Sequence, residues 1–317
     1  MIEDVTLALD FGGTKLTAGC AATRSVAEGK ALWLGQERVF TPADADREHE
    51  IDEMMVMAEA LLAGQQPRAV GVSFGGPADY ERGLVYRSDH VPGWDHTPLQ
   101  AVLEARWGVP VRIDNDANAA ALGEHRFGAG RGYQDLMYVT VSTGVGGGWI
   151  LGGRLWRGQK GMAGEIGHTV VDGAGPLCLC GKRGCVERLA SGPFLAADAL
   201  AILDAQPQRH SMLRDAGTAL AARDIAEAAA KGDDMARELI ERSAMAVGVG
   251  LGNAANLIAP QRFILGGGIT KAGELWWQGV RQAARQTALS DLEFDVVPAT
   301  LGDDAPLWGA VALVADL

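Results

Sequence analysis

Strand, helix and strand in alternation, with one motif repeated in the second half, predict an α/β protein of two lobes. Three observations carry that reading. AVGVSF at 69–74 and VRI at 111–113 are short apolar strands, each preceded by a helical pattern, and such alternation builds a parallel sheet with helices on its faces. A strand, Gly-Thr turn, strand pattern occurs twice, in LALDFGGTKLTAG at 7–19 and LMYVTVSTGVGGGWILGGRL at 136–155, the mark of two related halves. The length, 317 residues, suffices for two separate cores.

Residues 5–11 read as a strand carrying Asp10, then a Gly12-Gly13-Thr14 turn, Lys15 and a second strand. A turn of small residues presents backbone N–H groups and a hydroxyl to phosphate oxygens, and Asp10 suits Mg2+ held through water. A plain hairpin whose carboxylate satisfies turn amides explains the same residues. A third strand is expected at 32–40. In IDEMMVMAEALLA, Ile51, Met54, Met55, Ala58, Leu61 and Leu62 recur at helical spacing, so the methionines fill a core. AVGVSF leads into Gly75-Gly76-Pro77 at a strand's carboxyl end, where ligands of α/β sheets sit. A polar loop with Ser88, Asp89, His90 and Trp94 follows, then a helix over 99–107 and a strand at 111–113. That strand delivers Asn115 and Asp116 to the start of NDANAAALGEHRF. Either residue serves as an N-cap; Asp116 is equally placed for chemistry.

GAGRG at 128–132 reads as a hinge. Domain expectations are a first lobe at 1–120, completed by a C-terminal helix at 303–317, and a second lobe at 121–302. Helices are expected in ASGPFLAADALAIL, RDIAEAAAKGD and the long ARELIERSAMAVGVGLGNAANLIAP. Within the last, Gly248, Gly250 and Gly252 permit close packing, since mid-helix glycine otherwise costs about 1 kcal/mol. RFILGGGI is a strand ending in Gly266-Gly267-Gly268, followed by a helix around 274–286, a strand in LEFDVVPA and an apolar helix at 305–314.

Residues 164–187, GEIGHTVVDGAGPLCLCGKRGCVE, hold three of the four cysteines. His168, Cys178, Cys180 and Cys185 are the donors of a closed, structural tetrahedral zinc site, with no position left for catalytic water. Gly181 and Gly184 let the loop turn so that the thiolates converge. Zinc uses one nitrogen of His168 and leaves the other to orient a neighbour. Glu165 and Glu187 flank the ligands and suit a polyol. The clustering argues against disulfides, and Cys20 in LTAGCAA reads as a buried apolar residue.

A net charge of -12 argues against nucleic-acid and anionic-membrane partners, which need a basic surface. There is no 18-residue apolar span, and the acidic start MIEDVTLALDF is unlike a secretory leader, so cytoplasmic residence is expected. Phosphate turns, a candidate base and a polyol-binding pair combine into phosphoryl transfer. Asp116 would take the proton of a hydroxyl attacking the γ-phosphoryl group of ATP, with Mg2+ near Asp10.

LDFGGTKL at 9–16, IDNDANAAALGE at 113–124, VSTGVGGGWILGGRL at 141–155, AGEIGHTVV at 163–171, CLCGKRGCVE at 178–187 and ILGGGI at 264–269 together resemble the ROK family. Its members are bacterial sugar kinases and sugar-responsive repressors within the hexokinase/actin-like ATPase superfamily. The resemblance implies a two-lobed actin-like ATPase (ribonuclease H-like) fold with a cleft between lobes and a zinc-stapled loop. It makes Asp116 the catalytic base and gives sugar contacts to Asn115, Asp116, Glu165, His168 and Glu187, with Gly76 nearby. ATP and Mg2+ fall to Asp10, Gly12, Gly13, Thr14, Lys15, Thr143, Gly144 and Gly266 to Gly268; Zn2+ falls to His168, Cys178, Cys180 and Cys185. A homodimer is implied as well.

Repressors of the family carry an N-terminal helix-turn-helix domain, for which a first strand at residue 5 leaves no room. The expectation is therefore ATP-dependent phosphorylation of a hexose, at O6 of glucose. N-acetylhexosamine kinase (N-acetylglucosamine or N-acetylmannosamine) and fructokinase are the alternatives, and a noncatalytic sugar-binding regulatory protein is the alternative of another class. Two departures bear on the sugar. Gly75-Gly76-Pro77 stands where a Pro-Gly-Pro-like loop is usual, and His90 begins HVPGW where an Asn-Leu-Pro-Gly-Trp-like segment is usual. His90 reads either as an ordinary surface or core histidine or as a residue that alters sugar selection.

Overall fold

The computed structural model describes residues 4–88 and 90–317, so Asp89 of the polar loop lies outside the described residues. Two compact units divide the chain. The first spans the chain up to Gln134, with Gly148–Ala163 and Ala299–Leu317; the second holds Asp135–Gly147 and Gly164–Pro298.

In the first unit β1 (Val5–Phe11) and β2 (Lys15–Ala22) form the hairpin, α1 (Thr23–Ala27) is a short turn of helix, and β3 (Trp33–Phe40) pairs with β2. Helix α2 (Arg47–Leu62) starts where the Asp46 carboxylate accepts the His49 amide and stops at Ala63 in the left-handed conformation. Met54, Met57 and Ala58 of α2 are buried, the core role expected of its methionines. After it come β4 (Ala69–Phe74), the short pair β5 (Ala78–Asp79) and β6 (Leu84–Val85), α3 (Leu99–Trp107), β7 (Val111–Asn115) and α4 (Asp116–Phe127). The sheet order is β3-β2-β1-β4-β7, with β1, β4 and β7 parallel. Strands β1 and β4 are buried throughout, as strands covered on both faces must be, which explains their apolar runs.

The rest of the chain runs through β8 (Leu136–Val141), β9 (Val145–Leu151), β10 (Arg154–Trp156), α5 (Val186–Ala190), α6 (Gly192–Ala205), α7 (Ala222–Ala230), α8 (Asp234–Ile258), β11 (Arg262–Gly266), α9 (Glu274–Thr287), β12 (Asp295–Pro298) and α10 (Ala305–Leu313). The second five-stranded sheet has the order β10-β9-β8-β11-β12. The unit boundary falls inside β9, after Gly147. Helices α8 and α9 pack closely because a Cβ on Gly248 would lie 2.5 Å from the Val280 carbonyl oxygen, and one on Gly252 2.8 Å from that of Ala284. Gly250 instead faces Val186.

Helix α10 belongs to the first unit for the same physical reason. A Cβ on Gly71 of β4 would meet the Ala310 carbonyl oxygen at 1.7 Å, and one on Gly309 would meet that of Ala119 at 1.8 Å. Backbones this close tolerate no side chain. The sequence reading divides the chain at 120/121, within α4; the unit keeps α4 whole because Gly123 also abuts α10, its Cβ position 2.6 Å from the Ala305 carbonyl oxygen. Residues 148–163 join the same unit, where Gly148 seats against Ala117 and Ala121 of α4. Among the described residues no helix is long and apolar enough to cross a membrane.

Candidate active site

In the first unit the candidate residues gather at the carboxyl ends of β1, β4 and β7. Register aligns Asp10 with Ser73, and Ser73 with Asp114. The Ser73 hydroxyl donates to Asp10 Oδ1 at 2.7 Å. Thus Asp10 is partnered by a serine from another strand, a partner outside both roles the sequence left open, a cation and turn amides. Burial pushes the Asp10 carboxyl up to about 6, helped by the nearby Asp116 charge and opposed by the Ser73 bond, Lys15 and Arg38. A carboxylate held that high gains from a cation beside it.

The hairpin turn closes with the Gly12 amide on the Lys15 carbonyl at 3.1 Å. Gly75 lies against it, its amide on the Phe11 carbonyl at 2.8 Å. His90 lies against it too: a Cβ on Gly13 would come 2.3 Å from the imidazole Cδ2. His90 therefore borders the first Gly-Thr turn.

At the β7–α4 junction the N-cap is Asn115, whose Oδ1 accepts the amides of Ala117 and Asn118 at 3.0 and 3.4 Å. Its Nδ2 donates to the Gly76 carbonyl at 3.1 Å and to Asp116 Oδ1 at 3.0 Å. Capping thus falls to Asn115, and Asp116 stands at the first helical position, its Oδ1 also accepting the Ala117 amide at 2.7 Å. Asp116 is thus oriented by its neighbours at the N-terminal end of α4. Beneath it, buried Asp114 accepts from the Asn115 amide, Asn118 Nδ2 and Arg157 Nε at 2.9, 2.9 and 2.6 Å. Burial drives Asp114 upward from the usual carboxylate range against the pull of Arg157. The Arg157 guanidinium lies 3.6 Å over the Tyr80 ring, so the junction is locked from both sides.

In the second unit His168, Cys178, Cys180 and Cys185 bring one donor atom each to within 4.8 Å of one another. Tetrahedral zinc with Zn–S of about 2.3 Å separates its sulfurs by roughly 3.8 Å; Cys180 and Cys185 Sγ are 3.5 Å apart. Among the described residues His168 Nδ1 is buried without a hydrogen-bond partner, whereas Nε2 is 4.0 Å from Glu165 Oε2. An orphaned ring nitrogen beside three thiols is what a metal ligand looks like with its bond unmade, so the donor set fits zinc. Burial and the neighbouring thiols push Cys185 up to about 12, and the Lys182 amide draws Cys180 down. Zinc binding takes all three as thiolates. Gly181 and Gly184 have φ of 87° and 63°, the turning role expected of them. Cys20, in the first unit, is buried.

The second Gly-Thr turn, between β8 and β9, closes with the Ser142 amide on the Gly144 carbonyl at 2.9 Å. Glu187 Oε2 accepts the Val145 amide at 3.0 Å. Gly267, at φ 89°, lies so close to Val141 that a Cβ would be 2.4 Å from its carbonyl oxygen. The structure therefore sets Gly267 and Gly268 against Val141 and Ser142, where β8 runs into this turn. Sequence reasoning missed four partners: Ser73, Arg157, the Glu187 bond to Val145 and the seat of His90. A polar residue inside apolar AVGVSF was a signal for Ser73; nothing local marked Arg157.

A family model described as the ROK family matches residues 6–317. A glucokinase from Streptomyces coelicolor is 34% identical over 319 residues, covering 98% of each chain. The xylose repressor of Bacillus subtilis is 31% identical over 249 residues, which are 78% of this chain and 61% of that protein. Among solved structures, the fold is similar to a ROK family glucokinase from Streptomyces griseus in complex with glucose and AMPPNP, with a TM-score of 0.83, 36% identity and coverage of 99% of this chain and 100% of the other.

Proposed function

The chain belongs to the ROK family, and on that premise we propose that it is an ATP-dependent sugar kinase acting on a hexose, with O6 of glucose as the acceptor. The observation that carries the proposal is the division of labour at the β7–α4 junction. Asn115 caps the helix, so Asp116 is held by hydrogen bonds without being used as the cap. In this reading Asp116 receives the proton of the attacking hydroxyl. In-line transfer needs chiefly positioning and charge neutralisation. Mg2+ near buried Asp10 would supply positive charge, and the turns at Gly12 to Lys15 and at Thr143-Gly144 would hold phosphate oxygens. In the zinc module Glu165, His168 and Glu187 are assigned to sugar hydroxyls. Zinc takes no part in bond making. The resemblance to glucokinases, one of them bound to glucose and an ATP analogue, supports the donor and the sugar.

A coupled ADP-release assay across glucose, N-acetylglucosamine, N-acetylmannosamine, mannose, fructose and allose tests this, comparing specificity constants. Highest efficiency is expected with glucose. An N-acetylhexosamine in first place would replace the sugar while keeping the reaction, and turnover with none of them would remove the kinase reading. The xylose repressor similarity favours a second reading, a sugar-binding regulator. It requires saturable sugar binding with no sugar-dependent ADP release. The family resemblance also proposes a homodimer, which a monomer in sedimentation equilibrium would contradict.

A further inference from the structure

Val145, which ends the second Gly-Thr turn, is gripped from two directions by neighbours of metal ligands. Its N–H donates to Oε2 of Glu187, two residues after Cys185, at 3.0 Å. Its carbonyl oxygen lies 2.0 Å from where a Cβ would stand on Gly167, the residue before His168. The same Glu187 oxygen is 2.8 Å from a Cβ built on Gly144, so the carboxylate lies along the turn itself. A further bond joins the Gly192 amide, just beyond α5, to the Ser142 carbonyl at 2.8 Å. The two halves of the module are tied to each other where the Val186 amide meets the Thr169 carbonyl at 3.0 Å. Turn and metal module are thus joined by short, stiff links.

We propose that Glu187 is a positioning residue for the phosphoryl donor, so that the zinc module orders the phosphate turn as well as the groups assigned to sugar. This rests on the phosphate role given above to Thr143 and Gly144. One carboxylate oxygen fixes the Val145 amide, and Glu187 keeps the sugar role assigned to it above. A charge-assisted bond to a backbone N–H is among the stronger ones available. Its loss frees Ser142 to Val145 to sample conformations that do not receive phosphate. Zinc removal acts through the same links, because Glu187 and Gly167 take their places from Cys185 and His168.

The test titrates a fluorescent ATP analogue with Mg2+, without sugar, into zinc-loaded wild type, Glu187→Gln and Glu187→Ala, each before and after a zinc chelator. Glu187→Ala is expected to bind about tenfold more weakly, while Glu187→Gln stays within about threefold because its amide oxygen still accepts from Val145. Chelation should weaken wild type by about the same tenfold factor and add little to Glu187→Ala, the signature of two changes acting through one link. Binding by Glu187→Ala at the wild-type level, or an equal chelator effect in both proteins, overturns the proposal. Hydrogen exchange on wild type needs no variant, so a Glu187→Ala protein that misfolds does not shelter the idea. Amides at 142–147 should exchange faster after chelation while those of β4 do not change; unchanged exchange at 142–147 overturns it. If wild type binds no nucleotide, the kinase reading falls and the exchange measurement alone decides the link.

Discussion

Asp10→Asn is expected to make the protein more stable and inactive at once. Asp10 is buried with its carboxyl at about 6 against an ordinary 3.8, which at 1.36 kcal/mol per unit corresponds to about 3 kcal/mol. The sign follows from which state holds the proton. Below pH 3.8 both folded and unfolded chains are protonated at this position, and the group costs nothing. Between 3.8 and about 6 the unfolded chain has released its proton while the folded one retains it, so stability declines as pH rises. Above about 6 the folded protein carries a buried charge and bears the whole cost. Asparagine keeps the oxygen that accepts from Ser73 and removes that charge. The gain should approach about 3 kcal/mol at pH 8, less whatever the new amide hydrogens lose by burial, and vanish near pH 4. Denaturant melts at pH 8, 6 and 4, with zinc retained and no added Mg2+, measure it. Sugar-dependent ADP release from Mg-ATP should fall by at least about a hundredfold if Asp10 helps hold the cation that offsets phosphoryl charge. A variant less stable than wild type at pH 8, or a difference that does not change with pH, would refute the burial argument. Full activity in the stabilised variant would refute the cation role.

Asp116→Asn should keep zinc and sugar binding and be no less stable than wild type while lowering kcat by about 10²- to 10⁴-fold; calorimetry with the sugar and the coupled assay check both halves. Cys180→Ser removes one of four donors, and metal analysis should find zinc lost, with a lower melting temperature and weaker sugar binding. Gly309→Ala forces a methyl to 1.8 Å from the Ala119 carbonyl oxygen, and separation of α4 from α10 should cost about 3 kcal/mol or more in denaturant melts. His90→Asn restores the family's usual amide beside Gly13; a changed KM for ATP with an unchanged KM for sugar would assign the imidazole to the turn, and the converse to sugar selection.

The four-donor cluster of His168, Cys178, Cys180 and Cys185 was legible because its donor types and spacing fall in one short segment, and metal geometry tolerates few alternatives. The Gly-Thr turns and the helix opening at Asp116 were legible for a similar reason, since backbone amides and caps act over two or three residues. The capping of α4 was ambiguous, because Asn115 and Asp116 have nearly equal preference for the N-cap. Only the dihedral angles, with Asn115 extended at φ -62° and ψ 148°, assign the cap to one and leave Asp116 inside the helix.

What the sequence determined by itself was therefore local: alternating strands and helices, the paired turns, the four metal donors and the glycines of α8 that admit a neighbour. Tertiary structure alone decided the long-range partners. Ser73 reaches Asp10 across 63 residues of sequence and Arg157 reaches Asp114 across 43. Glu187 fastens Val145 across 42, and His90 comes to rest on Gly13. No periodicity or spacing encodes such pairs, because each depends on how strands align and loops close, and that is fixed by the packing of whole elements rather than by the residues adjacent to them.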